Sequence, residues 1–584
     1  MSTGAEVVVR SLIAHGAKHV FGVPGDTSID WYDALRTARG RIRHVVAADE
    51  RHAGYMADAY ARLTNRPGIC EGPSGGGVTY MLPGVGEANR SSIPLIALNT
   101  GVPLRTREKG MLTEIDQDAV YRTETKWAAT IPDVRRIPEM MAWAFRTATA
   151  GRPGAVHLAL PMDVMAQDAD GVADLRSTTD ARCPADRTIP SQEALDQASD
   201  ALQSVARLVI VAGGGVHLSS AYDELIELAE RTGGLVGTSL TGKGAFPETH
   251  PLSIGCIGEN GARPPANRAV EAADVLFYVG SEMGSVVTSK WTLPAPTTRQ
   301  RILRLDIDIE RMGRNYPTAI GLAGDARETL RALNRTLEAR AIPVNGERRA
   351  FGQEIRREIE KWLAGIDFKN DASPIRSARL VADLKAVLPG NAIVVSDPGT
   401  PTPSFAAYYE FDAAGRRYIN PRAHGALGYA IPGAVGAKIA CPDATVVGLT
   451  GDGSALMSIG ELATVSRLGM PMTLIVFHNN EYGWIRASQH FGKGVESYGV
   501  EFSDSDYAAI AEGFGIKGVR VRRTDEFLPA LRAACDADIP TLIDVRTAPL
   551  VQDVPPVAPW EAAAREPAGW IGPSAEPVAA RERS

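Results

Sequence analysis

The sequence predicts an α/β protein built from three doubly wound domains, each around a parallel sheet. Three observations carry that expectation. Short apolar runs alternate with helical patterns along the chain, as strands joined by helical crossovers do. Several runs, such as TVVGLTG (445–451) and MTLIVF (472–477), are apolar almost throughout, which fits sheets covered on both faces. The 584 residues, 44% of them hydrophobic, also exceed what a single core holds.

Residues 1–180 form the first block. HVVAADE (44–50) reads as a short buried strand, and the residues after it put Ala53, Met56, Ala57, Tyr60 and Ala61 on one helical face. PLIALNTG (94–101) and AVHLALP (155–161) read as further strands, and the polar stretch 168–188 as a linker. The second block spans 190–340. RLVIVAGGGV (207–216) is a strand running into glycines, and DVLFYVGSEM (274–283) and RILRLDIDIE (301–310) are two more, a Rossmann-type pattern. A charged helix (346–365) leads to the third block, 370–550, whose strands include AIVVSD (392–397). Residues 551–584 read as a tail, with Trp560 and Trp570 as candidate anchors.

Composition excludes several classes. Net charge is −7 with both signs spread along the chain, so no basic stripe invites nucleic acid or an anionic membrane. Mean hydropathy is −0.10, and no apolar run is long enough to span a bilayer. The opening residues lack the basic-then-apolar order of a secretion signal. Cysteines 70, 183, 256, 441 and 535 suit neither a zinc site nor a disulfide framework. A soluble cytoplasmic protein with reduced thiols is expected.

The strongest chemical signal lies in 445–486. One strand ends at Gly451-Asp452-Gly453-Ser454, and a helix follows with Ile459, Leu462 and Ala463 toward the core. The next strand ends at His478-Asn479-Asn480-Glu481-Tyr482-Gly483. A glycine turn before a helix offers backbone N–H donors to a diphosphate. Magnesium takes hard oxygen ligands such as a carboxylate, an amide oxygen and a carbonyl. Asp452 and Asn479, 479 − 452 = 27 residues apart, end strands that can meet at one crevice.

This pattern resembles the thiamine diphosphate-binding motif, and the chain resembles acetolactate synthase-like enzymes over about residues 5–550. The resemblance implies Mg²⁺ held by Asp452, Asn479 and the Glu481 carbonyl; Asn479 lies four residues before Gly483, and a competing frame uses Asn480. It implies that Glu50, in VVAADERHAGYMADAYARLTNRPG (45–68), activates the cofactor through a carboxyl of raised pKa. Pro24, Gly25, Thr79, Gly399, Thr400, Gly425, Leu427, Gly451, Gly453, Ser454, Tyr482 and Gly483 would line the cofactor. Read as residues alone, Glu50 also suits a solvated helix start and Leu427 an ordinary core position. Asp26 suits a catalytic acid/base or a helix N-cap. His424 and His478 suit proton transfer or structural hydrogen bonding.

The implied reaction removes CO₂ from a 2-keto acid and transfers the remaining acyl-anion equivalent to a carbonyl acceptor. A simple decarboxylase that releases an aldehyde is the alternative. Residues 110–128 contain no histidine, unlike the paired histidines of pyruvate decarboxylases, whereas Asp26 stands where acetolactate synthases prefer glycine. Leu112-Thr113 replaces the family's Phe-Gln pair. The second block is the family's FAD site, but AGGGV (212–216) lacks the full G-x-G-x-x-G pattern and SEMGSVVTS (281–289) replaces the family's arginine-rich stretch, so FAD is not favoured. In this family the glutamate and the metal motif come from different subunits, so a homodimer or homotetramer is implied.

Overall fold

The computed structural model describes residues 2–173, 181–297, 299–340, 344 and 346–565. Three six-stranded sheets, parallel throughout, alternate with helices, as the fold class requires. The first contains β1 (His19–Gly22), β2 (Arg43–Val46), β3 (Gly68–Gly72), β4 (Leu95–Gly101), β5 (Trp127–Thr130) and β6 (Ala155–Pro161), in the order β2-β1-β3-β4-β6-β5. The second contains β7 (Leu208–Ala212), β8 (Leu235–Thr238), β9 (Ser253–Cys256), β10 (Val275–Val279), β11 (Arg301–Asp306) and β12 (Ile320–Ala323), in the order β12-β11-β10-β7-β8-β9. The third contains β13 (Ile393–Ser396), β14 (Tyr418–Ile419), β15 (Val446–Gly451), β16 (Thr473–His478), β17 (Lys517–Val521) and β18 (Thr541–Arg546), in the order β14-β13-β15-β16-β18-β17. The first and third sheets thus share one strand order. The winding reverses at β1/β3, β7/β10 and β13/β15 in the three sheets, and such reversals open crevices at the carboxyl ends of the strands.

Several sequence expectations change in detail. The strand drawn over 44–50 stops at Val46, and Glu50 opens a helix, Glu50–Thr64, capped by the Asp49 side chain. That helix is buried from Glu50 and His52 through Arg62, not along one face only. It lies between the Gly76–Arg90 helix of its own block and the Ala430–Ala440 helix of the third, so the first and third blocks share a core. The helix after the Gly451 turn is broken into Asp452–Ser458, a 3-10 turn Ile459–Glu461, and Leu462–Leu468. Leu462 faces the core, but Ile459 and Ala463 are only half-buried.

The linker region is not free of the fold at its far end. Ala181 and Cys183 are buried, and the Cys183 N–H donates to the Asn65 carbonyl at 2.8 Å. In the tail, Trp560 packs at a tilt against Trp484 with ring centroids 4.4 Å apart, whereas Trp570 lies outside the described residues. All five cysteines are free thiols. Among the described residues, no helix is long and apolar enough to cross a membrane.

The contact between the first and third blocks tolerates no added bulk. A Cβ at Gly436 would sit 2.2 Å from the Met56 carbonyl oxygen. Gly436→Val is therefore expected to destabilise the protein by about 1–3 kcal/mol, read by denaturant unfolding. Wild-type stability in that variant would contradict the packing described.

Candidate functional site

The residues singled out by the sequence gather at the carboxyl ends of the first and third sheets, around both reversals of strand order. In the third block the organiser is Asp452. Its carboxylate accepts from the N–H of Gly453 at 2.8 Å, of Asn479 at 2.8 Å and of Asn480 at 2.6 Å, tying the end of β15 to that of β16. Burial pushes its pKa up, and those N–H donors pull it back. The Asn479 side chain lies beside the Asp452 turn and is buried. Its Oδ1 accepts from the Glu481 N–H at 3.3 Å and its Nδ2 has no partner among the described residues. Asn480 faces elsewhere: its Oδ1 is 2.5 Å from His478 Nε2, and its φ is +63°.

His478 is fully buried, with Nδ1 2.7 Å from Asp544 and Nε2 also 3.1 Å from Asp504. Both ring nitrogens are thus engaged in fixing the strand end. The Glu481 side chain is buried; Oε2 pairs with Arg486 and Oε1 has no partner among the described residues. Burial raises its pKa. The Gly483 N–H donates to the Glu481 carbonyl at 2.8 Å. A Cβ on Gly483 would lie 3.0 Å from Asn479 Nδ2 and 3.2 Å from Thr400 Oγ1, which places the 399–400 turn against this motif. The Tyr482 ring covers Gly453 and meets Phe502 edge-on at 5.2 Å. Ser454 is buried within the same turn.

Space is left where a ligand would need it. Gly399 has φ +111° and Gly425 φ +79°, and an added Cβ on either meets nothing within 4 Å. Leu427 is half-buried, so it is not an ordinary core leucine. The loop carrying it is held by a residue the sequence reading passed over, Asp397. Its carboxylate accepts from the Tyr429 N–H at 2.7 Å and from Thr450 Oγ1 at 2.7 Å. Burial lifts its pKa to about 6 against these donors. His424 is exposed at the other end of the loop.

In the first block Glu50 is only 8% exposed, so the solvated alternative fails. Its Cγ is 3.1 Å from a Cβ built on Gly72, and its Oε1 is 3.1 Å from one built on Gly77, so glycines make room for it. Burial raises its pKa, its own backbone N–H opposes, and Asp49 and Glu71 reinforce the rise. The Gly25 N–H donates to Ser28 Oγ at 2.9 Å beside the exposed Pro24. Asp26 is not an N-cap: Gly25 takes that position, and Asp26 is exposed with no hydrogen bond recorded among the described residues. Thr79 is exposed and its hydroxyl donates to the Gly76 carbonyl at 3.0 Å.

A second buried carboxylate bridges the two blocks. Glu461 accepts from the Ala48 N–H at 3.1 Å and lies 2.8 Å from His52 Nδ1, which fixes the turn leading into Glu50. Glu461 makes these contacts from the 3-10 turn that breaks the helix at 459–461. The only hint in the sequence was a glutamate among core-facing positions.

The central domain carries a cleft of about 430 Å³ at its β7/β10 reversal, lined by Gly214, Gly215, Gly280 and several arginines. Glu282 pairs with Arg152 at 3.4 Å and with Arg311 across this cleft.

The folded chain holds the Asp397 proton more tightly than an unfolded chain does. Asp397 therefore favours folding at pH below its unfolded value of about 4, and loses that contribution as pH rises through about 6. The stability difference between wild type and Asp397→Asn, followed by thermal unfolding from pH 4 to 7, should move against the wild type over that window. A flat difference would contradict the burial described.

Comparison with known proteins agrees with this arrangement domain by domain. The family models described as thiamine pyrophosphate enzyme N-terminal TPP binding domain, central domain and C-terminal TPP binding domain match residues 2–120, 195–333 and 397–545. A probable acetolactate synthase large subunit of Methanocaldococcus jannaschii is 33% identical, covering 93% of this chain and 91% of its own length. Acetolactate synthase isozyme 3 large subunit of Escherichia coli is 32% identical over 92% of each chain. A probable 2-ketoarginine decarboxylase of Pseudomonas aeruginosa is 33% identical over 94% of each. With a buried glutamate beside one strand-order reversal and the Asp452–Asn479 turn pair beside the other, the chain belongs to the thiamine pyrophosphate-dependent enzymes of acetolactate synthase-like type.

Proposed function

We propose that this enzyme decarboxylates a 2-keto acid and joins the acyl-anion equivalent to a carbonyl acceptor, in the manner of an acetolactate synthase. The observation that carries the reading is the Asp452 carboxylate locking β15 and β16 together while Asn479 Nδ2 and Glu481 Oε1 stay buried without partners among the described residues. Buried polar atoms left unpaired are costly, and a bound group beside them would offset that cost.

The Asp452 carboxylate, the Asn479 amide oxygen and the Glu481 carbonyl would hold Mg²⁺, a set of hard oxygen donors suited to that ion. Gly451, Gly453, Ser454, Tyr482, Gly483, Gly399 and Thr400 would seat the diphosphate, with Leu427 and Gly425 beside the rings. Pro24, Gly25 and Thr79 would meet the cofactor from the first block. When bound, thiamine diphosphate supplies a carbanion that adds to a keto group and an electron sink for the departing CO₂. Glu50 holds and exchanges a proton at its buried carboxyl toward the cofactor's pyrimidine ring, a task that its raised pKa suits. Asp26, exposed and free of structural bonds, would serve as an acid/base toward the substrate.

A site shared between two subunits fits the surface of one chain. No hydrogen bond joins Glu50 to the Asp452 turn among the described residues, and large apolar side chains stand exposed near both halves. Leu112 is 84% and Tyr498 is 88% exposed. We therefore place the 1–180, 190–340 and 370–550 blocks in a homodimer or a dimer of dimers. Flavin is not favoured, because Glu282 already pairs with arginines across the central cleft.

A second reading, decarboxylation to a free aldehyde, is favoured by Asp26 and by the relative named a probable 2-ketoarginine decarboxylase. Product analysis separates the two. Incubation of the Mg²⁺-loaded holoenzyme with 2-keto acids and aldehyde or keto-acid acceptors should give a hydroxyketone or hydroxy-keto acid. Glu50→Gln should keep the cofactor and lose at least about tenfold in turnover. Free aldehyde as the single product would overturn carboligation, and full activity in Glu50→Gln would remove the role given to Glu50.

A further inference from the structure

The loop that displays Leu427 is gripped at both ends by buried charge from the first block. At one end Glu87, wholly buried on the Gly76–Arg90 helix, accepts from the His424 N–H at 2.8 Å and from the Ala423 N–H at 3.4 Å. At the other end the Tyr429 hydroxyl donates to Asp58. Arg62 joins the two carboxylates: its Nε donates to Asp58 at 2.7 Å and its Nη2 to Glu87 at 3.3 Å. Ser91 Oγ adds a further hydrogen bond to Glu87 at 2.6 Å.

Four donors thus converge on one carboxylate, three on Oε1 and the His424 N–H on Oε2, about the total a carboxylate can accept. Burying a carboxylate so completely is expensive unless each oxygen is satisfied, so the arrangement is narrow in geometry. Two of its four donors are consecutive backbone amides of a loop on another domain. Gly425, Ala426 and Leu427 lie between the two grips and receive their position from them.

We propose that Glu87, with Arg62 and Asp58, is a positioning residue that sets the 423–429 loop, and through it Leu427, for cofactor binding. This rests on the functional reading above, since Leu427 matters only if the cofactor lies beside it. A glutamine at 87 would keep the size but face at least one N–H donor with another donor. The grip at Ala423–His424 would open, while the Asp397 bond to Tyr429 would remain.

The test uses full-length protein with Glu87→Gln. Hydrogen exchange measured by mass spectrometry on the apo protein should show the 423–424 amides exchanging at least tenfold faster, with the Tyr429 amide unchanged. Thiamine diphosphate affinity with Mg²⁺ should fall at least tenfold, with a smaller loss in kcat at saturating cofactor. Glu87→Asp, which keeps the charge, should recover part of both effects. If Glu87→Gln does not fold, Ser91→Ala removes one donor and should shift the same readouts less far. Wild-type exchange at 423–424, or faster exchange with unchanged cofactor affinity, would overturn the proposal. Failure of the wild-type protein to bind the cofactor would instead defeat the functional reading, leaving the exchange result interpretable by itself.

Discussion

The Asp452 carboxylate, accepting three backbone amides at the ends of β15 and β16, is the interaction on which the rest of the site depends. Those two strands leave the sheet side by side, and their turns would diverge without a common acceptor. With it, the Gly451–Ser454 turn and the Asn479–Gly483 turn enclose one crevice, and Thr400 is drawn against both. The same device recurs. Asp397 gathers the start of the Ala430–Ala440 helix, Glu461 holds the turn before Glu50, and Glu87 holds the Leu427 loop. Each is a buried carboxylate satisfied largely by N–H groups, the condition under which buried charge is tolerated.

Two of these carboxylates, Glu461 and Glu87, cross between the first and third blocks. They do so around the Glu50–Thr64 helix, which small residues allow to be packed from both sides. The helix that begins with Glu50 is thereby fixed by the third block. Contacts of this kind preorganise the start of the Glu50–Thr64 helix, as the proposed role of Glu50 requires.

The architecture was legible where the physics is local. AVHLALP and MTLIVF coincide with strands to within a residue, because a strand buried on both faces admits little but apolar side chains. The Gly-Asp-Gly turn and the Asn-Asn strand end were legible because a strand end turning into a helix favours small and polar residues. What escaped depends on contacts distant in sequence. The break at 459–461 carries Glu461, whose partners lie more than 400 positions away. Asp58, Arg62 and Glu87 carry no local signal in the sequence, because Asp58 and Glu87 find partners in the third block. Asp26 read equally as a cap or an acid, and only the backbone of Gly25 and the hydroxyl of Ser28 removed the first choice.

The most direct test of the central claim is calorimetric titration of the apo protein with thiamine diphosphate, with and without Mg²⁺. The structure described predicts saturable binding that requires the metal and is lost in Asp452→Ala. Absence of binding in both conditions, or binding indifferent to Mg²⁺ and to Asp452, would contradict it.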